Sequence, residues 1–358
     1  MNASLGTAGV ALAVVAAACG ALTVAVSRGL RRPRLLRQVP AFVALVALGA
    51  VLATGAMQRA LITRDFSVSF VASHGSRATS LPFTIATMWS ALEGSILLWG
   101  LVLAGYLVAV AWKFRDRLDD PLVAWAMLTM FVVAAFFFGL MLGPANPFET
   151  IANPPADGPG PNPLLQDHVL MAFHPPMLYL GYVGFTVPFA FAVGALVTGR
   201  VGEGWLVETR RWTLIAWGFL TAGIVLGAWW SYEVLGWGGY WGWDPVENAG
   251  LMPWLAATAL LHSTAMQDRR DGFRTWNMLL AVLAYALVLF GTFTTRSGLI
   301  ESVHAFSQSA LGAYFAGFIG LTLLSSAALI VWRARRDPAP RRWRIRPGAY
   351  SPRGIRKP

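Results

Sequence analysis

An all-α, polytopic integral membrane fold is predicted by three features: the composition, the length of the apolar runs and the placement of the arginines. Of the 358 residues, 56% are hydrophobic and only 13% charged. Many runs are long enough to cross the hydrocarbon core of a bilayer, which takes about 20 residues of helix. Runs of that length predict nine helices, near 5–26, 40–62, 84–112, 121–143, 177–198, 213–232, 246–267, 276–295 and 311–332. With the N-terminus outside, the connections at 27–39, 113–120, 199–212 and 268–275 and the tail from 333 are cytoplasmic, and they hold 24 of the 28 Lys and Arg. Only Arg59, Arg64, Arg77 and Arg296 fall elsewhere. The positive-inside rule then puts the N-terminus outside and the C-terminus in the cytoplasm.

The formal charge of +11 does not signal nucleic acid, because the arginines lie between spans rather than on a soluble surface. The single cysteine, Cys19, lies in the first apolar run. No disulfide framework, zinc cluster or Cys-x-x-Cys pair can be built within this sequence, so thiol chemistry must come from a partner. The first apolar run has no basic residue ahead of it and a dense basic cluster behind it, and reads as an uncleaved span.

Residues 1–332 thus form a transmembrane helical domain with two long outer segments. One is the Pro-, Asn- and Gly-rich stretch 144–176, too polar and broken to span; the other is the Trp-rich stretch 229–254. Residues 333–358, rich in Arg and Pro, are predicted to be a disordered cytoplasmic tail. No internal repeat is evident.

Six of the 16 tryptophans lie between Trp229 and Trp254. An interfacial aromatic belt accounts for Trp229, Trp230 and Trp254 as well as ligand binding does. It accounts less well for Trp237, Trp241 and Trp243, which sit among glycines in WGGYWGW. Glycines remove side-chain bulk and let a flat ligand lie against rings and backbone. Asp244 and Glu247 read either as a catalytic acid pair or as a capping box: Asp244 at the N-cap, Pro245 at the first helical position and Glu247 at the third. The two roles are compatible.

Three of the five histidines stand out. His174, in FHPPMLYLGYVG, precedes two prolines that begin a span, and His304, in ESVHAF, lies in the outer connection before the last span. Each alone reads as an interfacial residue. Together with the Trp stretch they face one compartment, where two neutral imidazoles could approach one iron from opposite sides over an aromatic shelf suited to a porphyrin. His262 falls about 17 residues, hence roughly 25 Å, beyond the capping box, in the cytoplasmic half of the bilayer. A histidine at that depth is a functional candidate, or is hydrogen-bonded to a neighbouring helix; as a haem ligand it would want a second axial partner. His168 and His74 read as solvated surface residues. Glu93, in WSALEGSILLW, is expected to pair with an outer arginine such as Arg296, or to handle protons.

At this point the residues resemble a family. WGGYWGWDPVENAGLMPWL is similar to the Trp-rich signature of the haem-handling proteins of cytochrome c maturation. NPLLQDHVLMAFHPPMLYLGYVGF, LEGSILLW and GTFTTRSGLIESVHAF resemble the flanking motifs of the CcmF family, the haem lyase subunits, over residues 40–330. The resemblance implies that His174 and His304 ligate the iron of haem b delivered by the chaperone CcmE. It implies that Trp229, Trp230, Trp237, Trp241, Trp243, Asp244 and Glu247 form the surface on which that haem rests. His262 would be one axial ligand of a resident b-type haem that reduces the incoming iron. The lyase would then join haem vinyl groups to the Cys-x-x-Cys-His thiols of apocytochrome c, with CcmH-type thiol proteins presenting the substrate.

Two departures qualify the resemblance. Family members are longer, with further spans that supply the second histidine of the membrane haem. This sequence is therefore expected to be the N-terminal half, either one piece of a split system whose second chain supplies the rest, or a truncated product. Many members also carry His before Glu-Gly-Ser, where this sequence has Leu92. The competing reading is a membrane haem carrier or exporter that passes haem on without forming the thioether bond. An ordinary transporter would show paired charges or broken helices near mid-membrane, and few such features are visible.

Overall fold

The computed structural model describes residues 1–165, 168–236, 238–270, 273–298, 302 and 311–336, and of 203 and 268–270 the backbone alone. His304, Trp237 and residues 337–358 therefore lie outside the described residues. The elements in chain order are α1 (Asn2–Gly29), α2 (Val39–Ile62), α3 (Ser69–His74), α4 (Leu81–Ala86), α5 (Leu92–Lys113) and α6 (Pro121–Leu142). They continue as α7 (Val169–Gly184), α8 (Thr186–Thr198), α9 (Glu203–Val234), α10 (Pro245–Arg270), α11 (Arg274–Arg296) and α12 (Leu311–Arg336). Apart from one isolated antiparallel bridge between Val68 and Thr150, the described residues contain no β-structure.

Among the described residues, eight helical segments are long and apolar enough to cross a membrane, with α7 and α8 together counting as one. This is a multi-pass membrane protein. The seventh of the nine expected spans coincides with α10, which is a helix of 26 residues but not one of the eight. Thr258, His262, Ser263 and Thr264 dilute its apolar character. It packs instead against α9 and α11. The span expected from residue 84 is also interrupted: α4 ends at Ala86, and α5 begins only at Leu92 after an extended Ala91.

Small residues let the helices meet at the backbone. A methyl group added to Gly49 would come within 2.4 Å of the Gly9 carbonyl oxygen, so α1 and α2 touch without intervening side chains. The same holds for α7 and α9. A methyl at Gly181 would stand 2.5 Å from the Leu220 amide nitrogen, and one at Gly223 2.7 Å from that of Leu178. Aromatic rings fill the space between other helices: Trp99 stacks on Phe137 with centroids 4.7 Å apart, and Phe189 on Tyr285 at 4.3 Å.

The helix breaks have identifiable causes. Pro188 cannot donate to the carbonyl of Gly184 and its ring crowds that oxygen, which is where α7 ends and α8 begins. Gly199, at φ +79°, terminates α8 in the left-handed conformation. The last carbonyls of α8 are taken by Arg333, whose Nε donates to the Leu196 oxygen and whose Nη2 donates to that of Val197, both at 2.8 Å. Arg333 to Arg336, expected in a disordered tail, are the last turn of α12.

The basic connections gather at one end of the bundle. Arg28 donates to the Asp119 carbonyl at 3.4 Å, Arg117 pairs with Glu208 at 2.6 Å, and Arg200 pairs with Asp120 at 2.6 Å. These contacts tie the α1–α2, α5–α6 and α8–α9 connections together.

The α7–α9 contact yields a contrast between two glycines. Gly223→Val should force the helices apart and cost about 1–3 kcal/mol, as overpacking does. Gly227→Ala, whose methyl would make an ordinary 3.7 Å contact, should be neutral or stabilising by up to about 1 kcal/mol through helix propensity. Melting temperatures of the two variants in detergent check the ordering.

Candidate functional site

The site is built where the N-terminal part of α7 meets the C-terminal part of α9. Helix α7 begins at Val169, not after the two prolines, so His174 lies inside the helix. His168 caps it: its Nδ1 accepts the Leu170 N–H at 3.3 Å. Prolines in a helix leave carbonyls without donors, and Pro175 leaves that of Met171. The Trp89 indole N–H donates to that oxygen at 3.3 Å, which lets the helix run through the proline.

His174 is buried, at 8% exposure. Its ring stacks on Trp230 with centroids 5.6 Å apart and planes 15° from parallel. Gly227, one turn before Trp230 on α9, leaves room beside the imidazole. Leu170, Met171 and Trp230 form a buried apolar cluster around this stack.

Trp229 does not share that face. Successive helical residues point about 100° apart, and Trp229 is half exposed while Trp230 is 2% exposed. The Trp229 indole N–H donates to Glu233, one turn later. The other oxygen of Glu233 meets His168 Nε2 at 2.6 Å. Because His168 Nδ1 accepts from the backbone, its Nε2 carries the proton and donates to Glu233. His168 is therefore a structural link between α7 and α9 rather than a solvated residue. His74 likewise is half-buried, with its ring 4.8 Å from that of Phe70.

Beyond α9 the chain turns sharply through Gly236 and Gly238, at φ +70° and +72°. Tyr240 folds back onto Tyr232 in the last turn of α9, with centroids 4.6 Å apart. Trp241 and Trp243 meet edge to face at 6.3 Å, and Trp243 is 72% exposed. Trp243 holds a left-handed backbone, φ +56°, which costs an L-residue about 1–2 kcal/mol. Asn248 fixes it by donating to the Trp243 carbonyl at 3.0 Å.

Asp244 and Glu247 form the capping box. The Val246 N–H donates to Asp244 at 2.9 Å, and Glu247 accepts the N–H groups of Gly242 at 2.9 Å and Asp244 at 3.3 Å. The Ser231 hydroxyl reaches Glu247 at 3.5 Å, so this carboxylate closes the Trp-rich loop onto α9. Ser302 donates to Asp244 at 2.6 Å, which brings that residue to this loop.

The remaining candidates lie elsewhere. His262 is exposed on α10, 18 residues beyond Asp244, or roughly 27 Å along a helix. Its Nδ1 lies 2.8 Å from the Thr258 carbonyl. A neutral ring that donates there presents Nε2 as its free acceptor, the form a metal ligand needs. Among the described residues no group of three or more His, Cys, Asp or Glu could hold a metal. Glu93 makes no ion pair with Arg296. Buried Arg296 donates instead to the Ser95 and Tyr179 hydroxyls, at 2.7 and 2.8 Å. Trp89, His168, Glu233 and this arginine network were not legible as site elements; only the i, i+4 spacing of Trp229 and Glu233 carried a signal.

The family model described as Cytochrome C assembly protein matches residues 89–301. The chain belongs to that family. The matched range runs from Trp89 through the His174–Trp230 stack and the Trp-rich loop, so the residues that build this site lie within the family match. Among curated relatives, the cytochrome c-type biogenesis protein CcmF of Escherichia coli is 47% identical over 278 residues, covering 77% of this chain and 42% of that protein. The CcmF of Pseudomonas aeruginosa is 45% identical over 284 residues, covering 79% and 43%. A solved structure named cytochrome c heme lyase CcmF superposes with a TM-score of 0.80 at 41% identity, covering 93% of this chain and 51% of that one. The chain thus spans about half the length of these relatives or less.

Substitutions at Asp244 separate a cap from an acid. Asp244→Ala removes the acceptor for Val246 and should lower stability by about 1 kcal/mol, whereas Asp244→Asn keeps an acceptor and should cost less. A carboxylate required for chemistry would make Asn as damaging to function as Ala. Trp89→Phe keeps the ring but strands the Met171 carbonyl, and should lower stability by about 1–3 kcal/mol in thermal unfolding.

Proposed function

We propose that this chain is the haem-handling part of a cytochrome c haem lyase of the bacterial inner membrane, with its Trp-rich end in the periplasm. The observation that carries this reading is His174 stacked on Trp230, where the Trp-rich loop leaves α9, in a chain 41% identical to a protein named cytochrome c heme lyase. Haem b is the substrate, received from a CcmE-like chaperone. His174 and His304 ligate its iron from two sides, and Trp237, Trp241 and Trp243 supply aromatic contacts around the ring. The segregation of basic connections to one end supports a periplasmic location for the other.

The work of the chain's own residues is positioning. A haem held by its iron and one face presents its vinyl edge to the thiols of Cys-x-x-Cys-His, brought by a CcmH-type protein. Fixing that approach can remove several kcal/mol from the barrier. The rigid α7–α9 contact and the Glu247 link suit such a role, because a ledge that moved would lose the alignment. His262, in the tautomer described above, is proposed as one ligand of a resident membrane haem b. The other axial ligand would come from the part of the longer relatives that this sequence does not cover.

Co-expression with the other maturation proteins and an apocytochrome c tests the lyase reading. Covalent haem should persist in denaturing gels with the native chain and fall to background with His174→Ala or His304→Ala. Unchanged attachment in both variants rejects it, and haem binding without attachment identifies a carrier. A reduced-minus-oxidised absorption spectrum in the His174→Ala, His304→Ala background tests the membrane site separately: a bis-histidine signal should vanish when His262→Ala is added, and one that survives excludes that ligand.

A further inference from the structure

A second feature lies at the opposite, basic end of the bundle and is independent of the haem reading. A cleft of about 480 Å³ opens between the α1–α2 and α5–α6 connections. Arg34, Arg37 and Arg115 line it, together with Asp116 and Asp119. Leu36 and Leu118, 2% and 9% exposed, give it an apolar floor. Arg28 bridges the two connections by donating to the Asp119 carbonyl at 3.4 Å.

The depth of the cleft is marked by Trp112. This residue, in the last turn of α5, is 70% exposed, as an indole at the boundary of lipid and water is. Arg115 sits on it: the guanidinium lies 5.4 Å over the ring, and Nη1 donates to the Trp112 carbonyl at 3.1 Å. Arg115 therefore stands near the level of lipid headgroups, and Arg34 and Arg37 line the same cleft.

The lining charge is mixed, three arginines against two aspartates. A purely basic pocket at this level suits an anionic headgroup. Here such a headgroup, or inorganic phosphate, would gain the guanidinium contacts but meet two carboxylates of its own sign. A headgroup carrying both a phosphate and a primary ammonium satisfies both sets: guanidinium N–H groups donate to the phosphate, and ammonium N–H groups donate to the carboxylates. A quaternary ammonium has no N–H to donate. We propose that this cleft binds the phosphoethanolamine headgroup of an aminophospholipid, with Arg34, Arg37 and Arg115 on the phosphate and Asp116 and Asp119 on the ammonium.

The full chain, purified and delipidated in detergent, is titrated with short-chain phosphatidylethanolamine, phosphatidylcholine, phosphatidylglycerol and sodium phosphate. Native mass spectrometry and the melting temperature report binding. Phosphatidylethanolamine should be retained about tenfold better than phosphatidylcholine, the difference made by charge-assisted hydrogen bonds, and sodium phosphate should not raise the melting temperature. Arg34→Gln with Arg37→Gln should lose that retention. Asp116→Asn with Asp119→Asn should turn the preference toward phosphatidylglycerol. This second pair is read by selectivity rather than stability, so it decides the matter even where the arginine variant does not fold. Equal retention of the three lipids, a native preference for phosphatidylglycerol, stabilisation by phosphate equal to that by the lipid, or unaltered selectivity in the aspartate variant would each overturn the proposal.

Discussion

Where Gly181 and Gly223 bring the backbones of α7 and α9 together, no side chain separates the two helices, and their register cannot slip without a clash. In a lipid environment apolar side chains gain little by leaving solvent, so helix association rests on close packing of this kind. The Trp-rich end inherits its geometry from that contact. His174 and Trp230 project from the two helices into one stack, and His168 and Glu233 join them again one step nearer the end. The ring planes at the site are thus set by backbone contacts a few turns away.

The same end shows how an apolar setting treats loose polar groups. An unsatisfied backbone group within a bilayer costs several kcal/mol, and three of the irregular places here have a side-chain partner. Trp89 takes the carbonyl released by Pro175, Arg333 takes those at the end of α8, and Glu247 takes two amides of the Trp-rich loop. Each of these partners also ties one element to another. Helix irregularity and tertiary attachment coincide because one hydrogen bond supplies both.

The two ends of the bundle differ in chemistry. One gathers arginines and aspartates from three connections, with exposed Trp112 beside them. The other is aromatic: Asp244 and Glu247 cap α10, Glu233 holds Trp229, His168 links α7 to α9 and His174 stacks on Trp230. A flat apolar ligand suits the second end, and headgroups suit the first.

The sequence by itself determined the all-α membrane-spanning class, most span positions and the Asp244–Glu247 cap, because apolar length and cap spacing are local properties carried by consecutive residues. It also singled out the His and Trp residues from which the site is argued. It misjudged the start of α7, since prolines ordinarily open a helix and the donor that lets α7 continue, Trp89, lies 82 residues away. It grouped Trp229 with Trp230, although adjacent positions on a helix point in different directions. Which of the two reaches α7 was decided only when Gly181 and Gly223 set the rotation of α9. Burial of His174, the link from His168 to Glu233 and the network around Arg296 likewise belong to the tertiary structure. They depend on distances between residues remote in the chain, and no local pattern encodes those.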